Sequence, residues 1–382
     1  MANRAVYVLA GGGTGGHLFP GIAVAEEILS RDPRSRIVFV GSGREIELEI
    51  LVKHGFEHET LHAEPSTMLR RNPIRFLWHN WHACRMARMM LKQLQPKAII
   101  GLGGFVSVPV VVAASSLGVP SLLLEQNVVP GRATRWLSGR AALVCLSFAE
   151  CNVRLSARAK TCVTGNPVRR EIVRLHAHSR DSERERPYRN KTESLLILGG
   201  SQGASSVNEA VLCAVQRLRA QLGDWRIVHQ TGRLQCDQVR RRYVEFGVTA
   251  EVVPFISDLT KRYAETTVAI SRAGATTLAE LACAGTPTIL LPYPNSIRNH
   301  QFLNARLFES AGAARIVEQG SDPATTASAL AIYLRILIEK HDMRGEMCRA
   351  MYCLARPDAA RQVVDRLRDL TEFKCSLNQR SA

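Results

Sequence analysis

Two stretches of this chain begin alike, and the likeness limits what it can fold into. Val6-Tyr7-Val8-Leu9-Ala10 runs into Gly11-Gly12-Gly13-Thr14-Gly15-Gly16 and then a helical pattern. Leu195-Leu196-Ile197-Leu198 runs into Gly199-Gly200-Ser201-Gln202-Gly203-Ala204 and then another. An apolar strand that ends in a glycine turn and opens a helix is the first unit of a doubly wound α/β domain. Its occurrence twice predicts two such domains, and 382 residues are enough to give each a proper core.

Further apolar runs at 37–40, 98–100, 121–124, 143–146, 227–230, 252–254, 268–270 and 288–291 alternate with helical patterns. Continuous apolar strands separated by helices indicate parallel sheets covered on both faces. Residues 98–124 carry no charge, a length that would span a bilayer. Gly101, Gly103, Gly104, Pro109, Gly118 and Pro120 break it into strand, glycine loop, short helix and strand. The expected fold class is therefore α/β, two doubly wound Rossmann-like domains over 1–165 and 166–356. The last helical pattern, within 357–382, is expected to pack back on the first domain. The stretch 169–194, rich in arginine, serine and glutamate, reads as a solvated connection.

Lysine and arginine number 50 against 34 acids, a formal net charge of +16. Such an excess implies an anionic partner: nucleic acid, phosphorylated metabolite or acidic membrane surface. No helix–turn–helix, zinc or RNA-recognition signature accompanies it, and aromatics are 6%, so a nucleic-acid binder is the weaker reading. The ten cysteines form no C-x-x-C pair and read as reduced thiols of a cytosolic protein. The apolar run 5–10 is too short for a signal peptide.

Glycine turns at strand-to-helix junctions let the backbone approach a ligand closely. The helix start adds N–H groups and partial positive charge, so phosphate is the natural ligand. Four such places occur, at 11–16, 101–104, 199–203 and 273–277. Gly11-x-Gly13-x-x-Gly16 matches the dinucleotide fingerprint, but the second strand ends in Gly41-Ser42-Gly43-Arg44 where that fingerprint expects an acid. No Walker-type G-x-x-x-x-G-K-[ST] motif occurs, which argues against P-loop chemistry. No D-x-D occurs, so no metal-chelating nucleotide-sugar site is expected.

Gly11–Gly16 continues into His17-Leu18-Phe19-Pro20-Gly21. Further on come Gly101-Leu102-Gly103-Gly104-Phe105, Glu125-Gln126-Asn127 and Gly165-Asn166-Pro167-Val168-Arg169. Then follow Gly199–Ala204 with Asn208, Arg272-Ala273-Gly274-Ala275 with Glu280, and His300-Gln301 with Asn304-Ala305. In this order they resemble the MurG family of N-acetylglucosaminyltransferases. The resemblance implies a two-domain GT-B enzyme with its domains facing across a cleft. It implies transfer of N-acetylglucosamine from UDP-GlcNAc to the MurNAc 4-hydroxyl of lipid I, with inversion, giving lipid II for peptidoglycan. It also implies a peripheral membrane protein on the cytoplasmic face of the cell membrane. Two positions depart from the family: Leu124 stands where histidine is often found, and Phe105 where tyrosine is common. Another UDP-sugar glycolipid transferase and a UDP-GlcNAc 2-epimerase are the nearest alternatives.

Carried over residue by residue, the resemblance gives Ser201 and Arg169 to the donor diphosphate and Glu280 to the ribose. Ile256 goes to the uracil edge, and Gln301 and Asn304 to the sugar hydroxyls. Ala275, Thr276, Thr277, Leu278 and Ala279 at the helix start, with Asn208, Asn127, Thr14, Gly15 and Gly16, complete the donor set. Gly15 and Gly16, with Thr14, also suit an anion cradle for the acceptor, together with Gly103, Gly104 and Phe105. His17 is the leading base for the acceptor hydroxyl. A phosphate donor or a loop-fixing hydrogen bond remain its competing roles, and Glu125 is the alternative base. Without the resemblance, Glu280 would read as an ordinary helix-surface glutamate.

No acid occurs from Pro65 to Leu124, while seven lysines or arginines lie between Arg70 and Lys97. On a helix over 74–94, Phe76, Ala83, Met86, Ala87, Met90 and Leu94 share one side. Ile74, Leu77, Trp78 and Trp81 fall opposite, continued by Arg85, Arg88 and Lys92. Tryptophans followed by cations suit an anionic membrane surface.

Overall fold

The structure, a computed structural model, describes residues 4–13, 15–183, 192–199, 204–320 and 322–380. The chain divides into two compact units, one of Met1–Arg170 with Arg356–Ala382 and one of Glu171–Ala355. The division falls about five residues beyond the boundary near 165 expected from the sequence.

The first unit carries seven parallel strands: β1 (Val6–Gly11), β2 (Arg36–Gly41), β3 (Glu57–Thr60), β4 (Ala98–Gly103), β5 (Ser121–Glu125), β6 (Leu143–Leu146) and β7 (Thr161–Val163). Their spatial order is β3-β2-β1-β4-β5-β6-β7. The second unit carries six: β8 (Ser194–Leu198), β9 (Arg226–Gln230), β10 (Ala250–Val253), β11 (Val268–Ser271), β12 (Thr288–Leu290) and β13 (Ala314–Ile316). Their order is β10-β9-β8-β11-β12-β13. In both sheets the order reverses beside the first strand, between β1 and β4 and between β8 and β11. An open parallel sheet leaves a crevice at that place, outside the carboxyl ends of the strands.

The central strands are apolar throughout because helices cover both faces. Leu9, Phe39, Ile100 and Leu122 belong to one cluster of the first unit, and Val8, Val38, Ile99 and Leu123 to the other. Three strands escaped the sequence reading: β3, β7 and β13. All three are edge strands, and β3 (Glu57-His58-Glu59-Thr60) is fully exposed, so none carries an apolar run.

Helix Ala359–Arg380 packs on helix Gly15–Arg31 in the first unit. Val363, Val364 and Leu367 are buried in one cluster with Ile22 and Ile28, each contributing about 2 kcal/mol. Arg31 Nη1 lies 2.6 Å from Asp365 Oδ1. The stretch 169–194 differs from expectation. Arg170–Glu183 is a helix, and Ile172 and His176 are buried in it, His176 Nδ1 lying 3.0 Å from the Cys283 carbonyl. Two apolar-facing positions among many charges were too few to show in composition. Residues 184–191 lie outside the described residues.

Helix Pro73–Leu94 starts where Asn72 Oδ1 accepts the Arg75 N–H at 3.0 Å and proline occupies the first helical position. Ala83, Ala87 and Leu91 are its buried stripe. Ile74, Leu77, Trp78 and Trp81 are all at least 60% exposed. Met86, expected inside, is also exposed. No helix among the described residues is long and apolar enough to cross a membrane.

Candidate functional site

In the first unit the two glycine turns leave the carboxyl ends of β1 and β4, the strands at which the sheet order reverses. Gly11 pairs with Gly103 after a register shift. A Cβ on Gly11, whose φ is +138°, would stand 2.3 Å from the Gly103 carbonyl oxygen, so only glycine lets the turns lie this close.

A buried carboxylate organises the first turn. Glu47, on helix Glu45–Lys53, accepts the N–H groups of Gly13, Ser42 (2.8 Å) and Gly43 (3.1 Å) and the Ser42 hydroxyl (2.9 Å). A Cβ on Gly12 would fall 2.5 Å from Glu47 Oε1. Arg44 Nη1 donates to the Gly13 carbonyl at 3.0 Å. The sequence carries no acid directly after β2, where the dinucleotide fingerprint expects one. Glu47 stands further on, one of three alternating glutamates, and nothing local marks it out.

His17 lies on the first turn of helix Gly15–Arg31, with Gly16 before it. Its Nδ1 is 3.1 Å from Gln126 Oε1, and Gln126 Nε2 donates to the Leu102 carbonyl at 3.1 Å. The amide's nitrogen end is thus committed to a carbonyl, so its oxygen faces the imidazole. In the neutral imidazole this geometry puts the proton on Nδ1 and the lone pair on Nε2. Gln126, quoted in the sequence only as part of a motif, is buried between β4 and the histidine.

Glu125 ends β5 and is buried. Its Oε1 accepts the Asn127 N–H at 3.1 Å and its Oε2 the Gly131 N–H at 3.0 Å. Both oxygens hold the loop that carries Gln126 and Asn127, which suits a loop anchor rather than the alternative base. Gly103 ends β4. Gly104 accepts the Ser107 hydroxyl at 2.7 Å, and half-buried Phe105 follows it. Arg169, expected in the donor domain, belongs to the first unit, its guanidinium 4.8 Å from the centre of the Phe19 ring on the histidine's helix. Thr14 lies outside the described residues.

In the second unit β8 ends at Leu198, Gly199 comes next, and helix Ser205–Arg217 follows; Ser201 between them lies outside the described residues. Asn208 on that helix is buried. It donates to the Thr231 carbonyl (3.1 Å) and Gln235 Oε1 (2.7 Å), and its Oδ1 faces His229 Nε2 at 3.1 Å. With its amide engaged from both ends, Asn208 ties helix Ser205–Arg217 to β9 and the segment after it. His229 completes the brace through Tyr243 at 3.0 Å, and full burial pushes its pKa down to about 3, keeping the imidazole neutral.

After β11 the chain turns through Arg272, Ala273 and Gly274 into helix Ala275–Ala284. Its cap residue, Gly274, has no side chain to occupy the leading amides. Thr276, Thr277 and Ala279 are partly accessible, while the Ala275 and Leu278 side chains face the interior. Glu280 is buried, not on the helix surface, and accepts the Tyr263 hydroxyl at 3.2 Å. Asn304, also buried, donates to the Ala273 carbonyl at 3.2 Å. Gln301 Oε1 accepts the Tyr293 N–H at 2.9 Å. The Ile256 N–H donates to Gln230 Oε1 at 3.0 Å, and Phe255 beside it is exposed. Arg272 ties the turn together, reaching the Leu291 carbonyl at 2.9 Å and Ser206 Oγ at 3.0 Å; desolvation lowers its pKa to about 10.

The sequence pattern of the glycosyltransferase family 28 N-terminal domain matches residues 7–145, and that of the family 28 C-terminal domain residues 194–363. A protein of Syntrophotalea carbinolica is 39% identical over 333 residues, 85% of this chain and 88% of its own. Another, of Geobacter sulfurreducens, is 36% identical over 365 residues, 94% and 97% of the two chains. Both are named UDP-N-acetylglucosamine--N-acetylmuramyl-(pentapeptide) pyrophosphoryl-undecaprenol N-acetylglucosamine transferase. The crystal structure of Acinetobacter baumannii MurG matches with a TM-score of 0.75 at 28% identity, over 96% of this chain and 100% of that one. The UDP-GlcNAc 2-epimerase of Neisseria meningitidis matches with a TM-score of 0.68, but at 15% identity, a likeness of fold alone.

Proposed function

The chain belongs to glycosyltransferase family 28, as a MurG-type N-acetylglucosaminyltransferase that converts lipid I to lipid II, and from that premise we propose how its residues share the work. His17 Nε2 takes the proton from the MurNAc 4-hydroxyl. That oxygen attacks C1 of N-acetylglucosamine from the face opposite UDP, the C1–O bond to UDP breaks, and the configuration inverts. The hydrogen-bond relay from Leu102 through Gln126 to His17 carries this reading, because it presents a lone pair on the outer nitrogen. A histidine that merely donated to a phosphate would need its proton there.

In the second unit, the helix amides from Ala275 onward take the donor phosphates. The Glu280 carboxylate accepts from the two ribose hydroxyls, and the Ile256 backbone meets the uracil edge. Gln301 and Asn304 stay near the sugar, while Arg169 offers its guanidinium to phosphate oxygens. The cradle of Gly15, Gly16, Gly103 and Gly104 takes the acceptor's pyrophosphate. Amides and arginine supply the counter-charge in this scheme, so no divalent metal is needed. The helix of exposed tryptophans lies against an anionic membrane surface, which brings the enzyme to its lipid acceptor.

The test is incubation of labelled UDP-GlcNAc with a lipid I analogue in EDTA. Label appears in the lipid product at the rate seen with Mg2+. Label recovered only as free sugar or as a 2-epimerised nucleotide sugar contradicts the reading, and loss of product in EDTA contradicts its metal-free part.

A further inference from the structure

A cavity of about 400 Å³ opens on the first unit between the glycine turns and the helix with exposed tryptophans. Apart from Phe105, none of the residues lining it is assigned to the donor or to the acceptor's pyrophosphate. Arg44 enters it from the loop after β2, His62 and Glu64 from the segment after β3, Arg75 and His79 from helix Pro73–Leu94, and Phe105 from the turn after β4. Its size is that of a small-ligand site, several times that of a single phosphate.

The lining tells which part of an acceptor fits. Two guanidiniums and two imidazoles offer N–H donors, so the occupant carries an anionic group. Glu64 also stands in the wall, 3.0 Å from Arg75 and 3.9 Å from His79. A carboxylate there repels a pyrophosphate but accepts hydrogen bonds from amide N–H groups. Phe105 and Leu61 add apolar wall, which a phosphate cannot use and small aliphatic side chains can. An occupant with amides, small apolar groups and a carboxylate is a peptide. A peptide amide-linked to a muramyl acid ends in a free α-carboxylate, ionised at neutral pH. Position agrees: one wall is shared with the pyrophosphate cradle through Phe105, and the other with the helix assigned to the membrane surface.

We propose that this cavity seats the peptide arm of the acceptor, its terminal carboxylate among Arg44, His62 and His79 and its amides against Glu64, an inference that rests on the transfer activity described above.

The test has a binding arm and a kinetic arm, both on the full chain. In the first, a fluorophore-labelled muramyl pentapeptide without lipid or phosphate is titrated and its anisotropy followed. The free acid is expected to bind about tenfold more tightly than its C-terminal carboxamide. The double variant His62→Ala/His79→Ala removes that difference. Both side chains are solvent-accessible, and an unchanged melting temperature and UDP binding verify its fold. In the second arm, kcat/KM is compared for lipid I analogues with and without the peptide, and the preference for the peptide falls about tenfold in the same variant. Equal binding of acid and amide overturns the proposal. So does a peptide preference that the variant leaves intact, or displacement of the probe by inorganic pyrophosphate at lower concentration than by a peptide carboxylate. The binding arm needs no donor, so it can fail while transfer is intact. Loss of transfer with every acceptor overturns the activity instead.

Discussion

His17 and Gln126 act as a pair that mutation can separate. Gln126→Leu removes the Nδ1 acceptor and frees the imidazole to turn or change tautomer, so kcat is expected to fall about tenfold, part of the effect of losing a general base. In a His17→Ala background the same change is expected to lower kcat no further, because the two residues share one function. Equal losses in both backgrounds would assign Gln126 a role apart from the histidine. His229 gives a prediction on stability. Its folded pKa is about 3 against an ordinary value of 6.5, so the unfolded chain binds the proton more readily. Its contribution is complete above about pH 6.5 and drains away as pH falls toward 3, by at most about 1.4 kcal/mol per pH unit. The urea midpoint of the second unit should therefore drop between pH 7 and 5 in the wild type and drop less in His229→Gln. Motif residues such as His17 and Glu280 can be singled out in the sequence, though not the burial of Glu280. Glu47 and His229 cannot, because what marks them is a set of partners contributed by other elements.

Among elements, visibility followed burial. Strands with two covered faces announce themselves as apolar runs; the edge strands β3, β7 and β13 have no such face and were passed over. The helix Pro73–Leu94 was legible in its wet side, where the exposed tryptophans break the usual economy of a surface. Its buried side was read less well, since Leu91 belongs to it and Met86 does not. The cations beyond the tryptophans are not equivalent: Arg85 lies 5.9 Å from the Trp81 ring centre, while Arg88 donates to Ser116 Oγ at 2.5 Å. Arg85→Glu/Arg88→Glu should weaken co-sedimentation with anionic vesicles several-fold, at about 1 kcal/mol per cation removed, and leave binding of soluble UDP-GlcNAc as it was. Unchanged sedimentation would take this helix out of the membrane account. Trp136, exposed on helix Arg132–Leu137 with Arg140 4.3 Å from its ring, repeats the aromatic–cation pairing on the same unit, and sequence periodicity gave no reason to single it out.

At the scale of the whole molecule, the repeated strand–glycine-turn–helix was enough to foresee two doubly wound units. The glycine turns it contains follow strands beside which, in the structure, each sheet order reverses. In open α/β sheets ligands ordinarily bind outside the ends of such strands, which is where the proposed sites of both units lie. What sequence could not give is the division of labour inside each site, since Asn208, Glu125 and Arg169 all stand in motifs yet take up different surroundings from those expected. The central claim is that the first unit's glycine turn carries the base for the acceptor, and not a contact to the donor. Its most direct test compares His17→Ala with the wild type in two assays, single-turnover transfer to a lipid I analogue and equilibrium binding of UDP-GlcNAc. The account predicts a fall in the transfer rate of about 10²–10⁴ with donor affinity unchanged; a parallel loss of donor affinity, or a transfer rate near wild type, would contradict it.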